Sequence, residues 1–322
     1  MNNNQTAGKI SSMKARHSFL LVLAALGWGT TFVAQSKAMN ILEPYSYNAC
    51  RYLLGVLVLL PLAILAGRID PHSVNYRGEP IPNVTESLKV RKRNLLIGGL
   101  LCGVFLFLAS GTQQIGLLYT SASKCGFVTS LYIIMVPIIS LFFRKKCSPL
   151  IIAALGIAVL GFYMLCINEG FSVNIGDAFT LVSSLMFALQ IMVIDRFGPR
   201  VAGLQLSVSQ FLVCGVLSAI TAVVTEHPTW DAILSCWGPI LYAAIFSCGV
   251  GYTLQIIGQR GLNPTVASLI MSVESVITAF AGWLFLGDRL TGKELVGCVL
   301  VFAAIIIAQI PLPARRTAGK SA

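Results

Sequence analysis

The stretch Gly261–Arg289 reads GLNPTVASLIMSVESVITAFAGWLFLGDR. It opens on Asn263-Pro264, stays apolar for most of its length and stops at Gly287-Asp288-Arg289, with a single carboxylate, Glu274, near its middle. A run of this length is a membrane-span candidate, because about 20 helical residues cover the ~30 Å hydrocarbon core of a bilayer. Placing a charge at that depth costs at least about 2.5–3.5 kcal/mol on insertion scales, so an ionisable group there reads as functional until shown otherwise.

The rest of the chain has the same character. Of its 322 residues 56% are hydrophobic and 11% charged, and the mean hydropathy is +0.80. A soluble domain carries about 25% charge, so the composition assigns the chain to the membrane. Ten spans would use about 200 residues and leave no room for a large soluble domain. The net charge of +11 flanks the apolar runs, which argues against a nucleic-acid partner. Nine cysteines are scattered without a CxxC pair, so no disulfide framework, metal site or cofactor is expected.

In order, a polar tail expected to be disordered (1–17) precedes spans at about 18–36, 45–66, 94–118, 122–143 and 149–167. The second half repeats the plan at about 176–195, 204–225, 236–257, the opening stretch, and 293–311, before a tail at 312–322. The fold expected is an all-α integral membrane protein of ten transmembrane helices, built as two inverted five-helix repeats over 18–167 and 174–311. With the N-terminus inside, the inner side collects 18 of the 23 Lys and Arg and the outer side only Lys37, Lys124, Arg289 and Lys293, with Arg51 inside a span. That asymmetry places both termini in the cytoplasm of a multi-pass cell-membrane protein.

The repeat is legible in the letters. Gln114–Ser130 aligns with Gln259–Ser275 at an offset of 145, with eight identities in seventeen positions. An odd number of spans per half forces the two segments to run in opposite directions, and inverted repeats are the architecture of alternating-access transporters. In that register Glu274 faces Thr129 and Leu269 faces Lys124, so the halves share a scaffold but not their charges.

Several further stretches resemble the drug/metabolite transporter superfamily, in its ten-helix EamA family. They are Gly27-Trp28-Gly29-Thr30-Thr31-Phe32, Arg51-Tyr52-Leu53-Leu54, Gln113-Gln114-Ile115-Gly116-Leu117, Ser121 to Phe127, Leu131 to Pro137, Gly176-Asp177, and Glu274 with Gly282-Trp283-Leu284-Phe285-Leu286-Gly287-Asp288. The resemblance covers about residues 18–311 and implies secondary transport of small organic solutes, often export of amino acids or related metabolites. Ser275 stands where many members have Pro, so the ninth span is expected to run straighter there, and Asp288 stands where Glu is commoner.

The candidate substrate-binding residues are Trp28, Arg51, Gln114, Tyr132, Gln190, Tyr252, Gln255 and Glu274. Glu274 suits a cationic substrate group or a coupling proton, against a plain structural carboxylate. Arg51 suits a carboxylate, against snorkelling to the outer headgroups; an Arg51–Glu274 pair is a third reading. Lys124, near a span end, reads as snorkelling. Gln113, Gln114, Gln190 and Gln255 suit a polar cavity or hydrogen-bonded glue between helices, and the aromatics suit stacking or packing. Gly99 and Gly103 form a GxxxG, whose default reading is close helix packing.

No GxxxxGK[ST] occurs, so an ATP-driven pump is not expected, and the partners expected are a small-molecule substrate, the lipid bilayer and a coupling proton. Absence of GxSxG, HExxH or paired aspartates within a span argues against an intramembrane enzyme. A passive facilitator or channel is the remaining alternative, which sequence barely separates from a carrier.

Overall fold

Lipid offers backbone N–H and C=O groups no partner but each other, so a chain this apolar closes its hydrogen bonds inside helices. The structure, a computed structural model, describes residues 3–66, 88–142, 149–166, 175–260, 262–286 and 292–309, and no strand occurs among them. The basic run Arg144-Lys145-Lys146, Gly287-Asp288-Arg289, most of the loop after the second span and the C-terminal tail lie outside the described residues.

The first half comprises α1 (Asn3–Ala38), α2 (Pro44–Ala66), α3 (Leu88–Leu117), α4 (Ala122–Ser130), α5 (Tyr132–Phe142) and α6 (Pro149–Cys166). The second comprises α7 (Ile175–Phe197), α8 (Gly203–Thr225), the short α9 (Trp230–Ser235) and α10 (Trp237–Tyr242), a π-helix (Ala243–Tyr252), α11 (Thr253–Gln259), α12 (Pro264–Met271), α13 (Val273–Leu286) and α14 (Gly292–Gln309). Eight helical segments are long and apolar enough to cross a membrane, and the apolar parts of α6 and α14, Pro149–Gly161 and Leu295–Ile307, are shorter. The N-terminal stretch, expected to be disordered, is instead helical from Asn3: extending an existing helix adds a bond per residue fixed without a new nucleus.

Polarity is distributed as a bilayer requires. Leu57, Ile64, Phe142, Ile220, Val224 and Ile306 face outward, whereas Gln114, Gln190, Gln210, Ser183 and Ser184 are buried. An aqueous protein would expose no such belt of large apolar side chains.

Helix contacts map onto themselves when the halves are exchanged. α2 packs on its counterpart α8, and α6 on its counterpart α14. α3 packs on α7 and α8, as the π-helix packs on α1 and α2. α7 packs on α4 and α5, as α1 packs on α12 and α13. Because α4 meets α13 and α5 meets α12, the fourth and ninth spans lie antiparallel, as the inverted register requires.

Both of these spans are broken near the middle. Leu131 (φ −62°, ψ −9°) divides α4 from α5, and Ser272 (φ −63°, ψ −10°) divides α12 from α13. At each break the next turn tightens to i→i−3 bonding: Ile134 N donates to Leu131 O at 2.9 Å, and Ser275 N to Ser272 O at 3.2 Å. In the second, the Ser272 and Ser275 hydroxyls also donate to Leu269 O and Ser272 O, which competes with the helical ladder and bends it. The helix is thus continuous through Ser275, and the break lies three residues before it. Asn263 caps α12, its Oδ1 accepting from Thr265 N at 2.9 Å, with Pro264 in the first turn where its missing N–H is harmless.

Close backbone approach sets the α3–α8 contact. A Cβ on Gly99 would lie 2.5 Å from Ser209 Cβ, and one on Gly103 would lie 2.5 Å from Val213 Cβ and 2.9 Å from Gln210 O. At one end of the bundle, the Glu226 carboxylate at the close of α8 accepts from Tyr45 N (2.8 Å), Ser46 N (2.6 Å) and Ser46 Oγ (2.7 Å). It supplies the first turn of α2 with the acceptors that its own helix lacks. Gly103→Leu is expected to destabilise the fold by about 1–3 kcal/mol through overpacking. Gly156→Leu, at an exposed position with nothing within 4 Å of the added Cβ, is expected to have little effect. Thermal melting of the two purified variants in detergent checks this, and equal melting temperatures would refute the packing account.

Candidate functional site

A cavity opens between the halves. Seven of its lining residues come from the first half: Trp28, Phe32, Gln35, Arg51, Gln113, Thr129 and Tyr132. Seven come from the second: Phe187, Ile191, Ser247, Tyr252, Gln255, Met271 and Glu274. Thr129 and Glu274, which the repeat register places opposite each other, both lie on this wall.

The Gly27-Trp28-Gly29 motif explains how one wall is built. A Cβ on Gly27 would stand 2.6 Å from Phe246 O on the π-helix, and one on Gly29 would stand 2.8 Å from Glu274 O on α13. The two glycines seat α1 against both neighbours, with Trp28 between them. Its indole lies over Gly251, where a Cβ would meet Trp28 Nε1 at 2.4 Å, and 5.0 Å from the Tyr252 ring. Phe32 and Gln35 follow Trp28 at helical spacing, so one stripe of α1 faces the cavity.

Arg51 is 1% exposed, which rules out snorkelling. Its Nη2 donates to Tyr52 Oη at 3.0 Å, and its guanidinium carbon lies 4.6 Å from the Tyr52 ring centre and 5.3 Å from that of Tyr47. Such cation–π contacts partly replace lost hydration. Arg51 Nε has no partner. The Tyr52 and Tyr252 hydroxyls lie 3.5 Å apart, and Phe211 packs on both rings with centroids at 5.7 Å.

Glu274 is 4% exposed and accepts from Tyr132 Oη at 3.1 Å through Oε1. Although Arg51 and Glu274 line the same cavity, no ion pair joins them. The third reading of these two residues is therefore corrected. Lys124 is also corrected: its Nζ lies 2.7 Å from Asp177 Oδ2, tying the start of α4 to the start of α7, and Thr120 Oγ1 donates to the other carboxylate oxygen at 3.5 Å.

Of the eight residues expected from sequence, Trp28, Arg51, Tyr132, Tyr252, Gln255 and Glu274 line the cavity. Gln114 and Gln190 stand behind it. Gln114 Nε2 donates to Gln35 Oε1. Gln255 Nε2 donates to Gln190 Oε1 at 3.3 Å, and Gln190 Nε2 to Gln210 Oε1 at 3.1 Å. Gln113, the remaining lining amide, donates to Thr129 Oγ1 at 3.1 Å. The lining residues that sequence reasoning did not put forward are Phe32, Gln35, Thr129, Phe187, Ile191, Ser247 and Met271. The stripe Trp28–Phe32–Gln35 carried a readable signal, whereas Phe187, Ile191 and Met271 are apolar residues among many others.

The model of the EamA-like transporter family matches residues 16–167 and again 174–309. An uncharacterized transporter of Archaeoglobus fulgidus is 28% identical over 293 residues, covering 90% of this chain and 84% of that one. An S-adenosylmethionine/S-adenosylhomocysteine transporter of Chlamydia trachomatis is 23% identical over 88% of both chains. The threonine/homoserine exporter RhtA of Salmonella typhimurium is 26% identical over 151 residues, 46% of this chain and half of its own length. A solved crystal structure at 16% identity superposes with a TM-score of 0.70, covering 91% of this chain and 96% of its own, a likeness of fold.

A double-mutant cycle tests the buried contact at Glu274. Tyr132→Phe and Glu274→Leu are expected to be non-additive by about 1–3 kcal/mol, because removing the hydroxyl matters chiefly while residue 274 carries an oxygen to accept from it. Thermal unfolding of the wild type, both single variants and the double variant in detergent measures the coupling. Additive effects would show that the two groups do not interact.

Proposed function

Because this chain belongs to the EamA-like transporter family, we propose that it is a secondary transporter that exports amino acids or related small metabolites by alternating access. The observation that carries the reading is the cavity, walled equally by two halves whose mutual contacts survive their exchange. Such a site is reached from one side or the other by rocking the halves about it. The relatives support the substrate class: threonine, homoserine, S-adenosylmethionine and S-adenosylhomocysteine, the solutes in two of their names, all carry an α-amino acid group.

In this reading the chain crosses the cell membrane ten times, with α6 and α14 as the fifth and tenth crossings and both termini in the cytoplasm. The eight candidate residues form the substrate site in two tiers, six on the wall and Gln114 and Gln190 steadying it from behind. Glu274 is the coupling group. It is the acidic side chain on the cavity wall, and it takes a proton when the solute has left. Family and relatives are transporters, and the cavity serves passage rather than turnover.

Flux is measured in vesicles holding the purified protein. Carrier action predicts saturation and acceleration by unlabelled solute on the far side, whereas non-saturating flux would reassign the protein as a channel. Glu274→Gln is expected to lower flux at least tenfold and to abolish its response to an imposed pH gradient. Unchanged flux at every pH would remove proton coupling. Comparing metabolites released by cells overexpressing the protein with those released by cells lacking it identifies the solute.

A further inference from the structure

We propose that the short helix α9 is an interfacial anchor, lying along the membrane surface at one end of the bundle with Trp230, Leu234 and Trp237 seated in the lipid headgroup layer. Six helical residues cover only about 9 Å, far too little to cross a bilayer. The chain on either side faces lipid: Val223 and Val224 close α8, and Leu241 and Ile245 follow in α10 and the π-helix, all exposed. Trp230 and Leu234 share a face of α9 at i and i+4, and Trp237 opens α10; they are 79%, 64% and 66% exposed. The other side of α9 is already taken. Ala232 and Ile233 pack with Leu42, Tyr47 and Cys236, a cluster drawn from both halves, and Tyr47 Oη donates to Pro239 O at 3.4 Å. Asp231 and Ser235 are exposed on the same helix. Protein on one side, indoles on another and polar groups between them suit the boundary of lipid and water, where a ring meets acyl chain and its N–H meets headgroup oxygens.

The rest of the surface marks the same level. Among the described residues the exposed Trp and Tyr are Tyr119, Tyr163, Trp230, Trp237 and Trp283, and all of them lie at one end. The Gln114–Gln35 bond sets the close of α3 beside the close of α1, and Glu226 sets the close of α8 beside the start of α2. Tyr119 follows α3 directly, and Trp230 comes soon after α8. Trp283 stands near the close of α13, which runs antiparallel to α4 and so ends where α4 begins. Tyr163, near the close of α6, lies 5.9 Å from Lys293 Nζ at the start of α14, the helix that follows α13. The opposite end exposes Lys14, Arg16, Lys89, Lys92, Arg93 and Arg196 instead. An apolar surface indifferent to depth would not sort its rings to one level, whereas an amphipathic headgroup layer does.

Charge at the aromatic end is mixed, with Lys37 and Lys293 exposed against Glu43 and Asp231, so a zwitterionic headgroup suits it and no anionic lipid is required. The anchor also shares a packed neighbour with the cavity. Tyr47, in the cluster beneath α9, holds its ring 5.3 Å from the guanidinium carbon of Arg51.

The test places the full chain in phosphatidylcholine vesicles whose lipids carry bromine either next to the headgroup or near the chain ends, since bromine quenches indole fluorescence on contact. Subtracting the spectrum of the double variant Trp230→Phe/Trp237→Phe from that of the wild type isolates the α9 indoles. Their signal is expected to fall at least about twofold with headgroup-side bromine and by much less with chain-end bromine. Quenching by aqueous acrylamide with neither bromolipid effective would put α9 in water and overturn the inference. Equal or stronger quenching from the chain ends would put it inside the span, and quenching by none of the three would show that a second copy covers it; both overturn it too. Should the double variant fail to fold, the wild type decides alone, because three of its four tryptophans lie at this end. Equal or stronger quenching of the whole spectrum from the chain ends would then overturn the inference. The carrier reading stands whichever result is found.

Discussion

A charge carried halfway along an apolar helix has to be turned away from lipid, and the arrangement of this protein follows from that constraint. Glu274 sits among valine, isoleucine and phenylalanine in α13, and Arg51 stands in α2 just ahead of its run of leucines and valines. Exposure of either to hydrocarbon costs at least about 2.5–3.5 kcal/mol. Shelter exists only where helices meet, and the two residues belong to different halves. Gly29 lets α1 lie against the backbone at Glu274, and Gly27 lets the same helix lie against the π-helix. Packing that hides the charges is therefore the packing that frames a polar space, and the cavity follows from shielding rather than from defective packing.

Exchange symmetry is kept in the contacts and broken in the chemistry. Thr129 and Glu274 occupy equivalent places and face the same space, one a neutral hydroxyl, the other a carboxylate. The helix breaks follow the same rule. Leu131 and Ser272 have nearly the same backbone angles. Adding the repeat offset of 145 to 131 gives 276, four residues beyond Ser272, so the breaks are displaced by about one turn. The two spans cross antiparallel at the wall of the cavity and bend at different depths.

Most of the scaffold was legible in the letters because membranes simplify the problem. Span length and the 145-residue repeat give an all-helical protein with antiparallel fourth and ninth spans, and glycines flanking Trp28 mark a close approach. Helix faces were much less legible. In a soluble helix the polar stripe marks the outside, but here lipid-facing and protein-facing positions are both apolar. Phe187 on the cavity and Phe142 on the periphery look alike in sequence. Polar residues gave better guidance, and six of the eight chosen face the cavity. The readings that changed depended on a partner remote in sequence. Lys124 found Asp177 rather than headgroups, and Gln114 and Gln190 took the second of their two readings, bonding other amides between helices. The π-helix carrying Ser247 and Tyr252 had no sequence signature.

Those amides behind the wall have a physical role that their burial makes plain. An unsupported glutamine facing a cavity would rotate among several rotamers and present either end of its amide. Gln255 is held by Gln190, which is held by Gln210; Gln35 is held by Gln114; Gln113 holds Thr129. Each bond costs the outer residue its freedom and fixes which atom faces inward. The chain through Gln190 spends the Gln255 donor on the protein and leaves its Oε1 buried without a partner, while the Gln35 acceptor is taken by Gln114. Amide atoms left on the wall are thus chosen by residues that never touch the cavity. Changing Gln190 or Gln114 would alter what the site accepts by releasing a neighbour, not by removing a contact, because a buried network acts through the geometry it imposes.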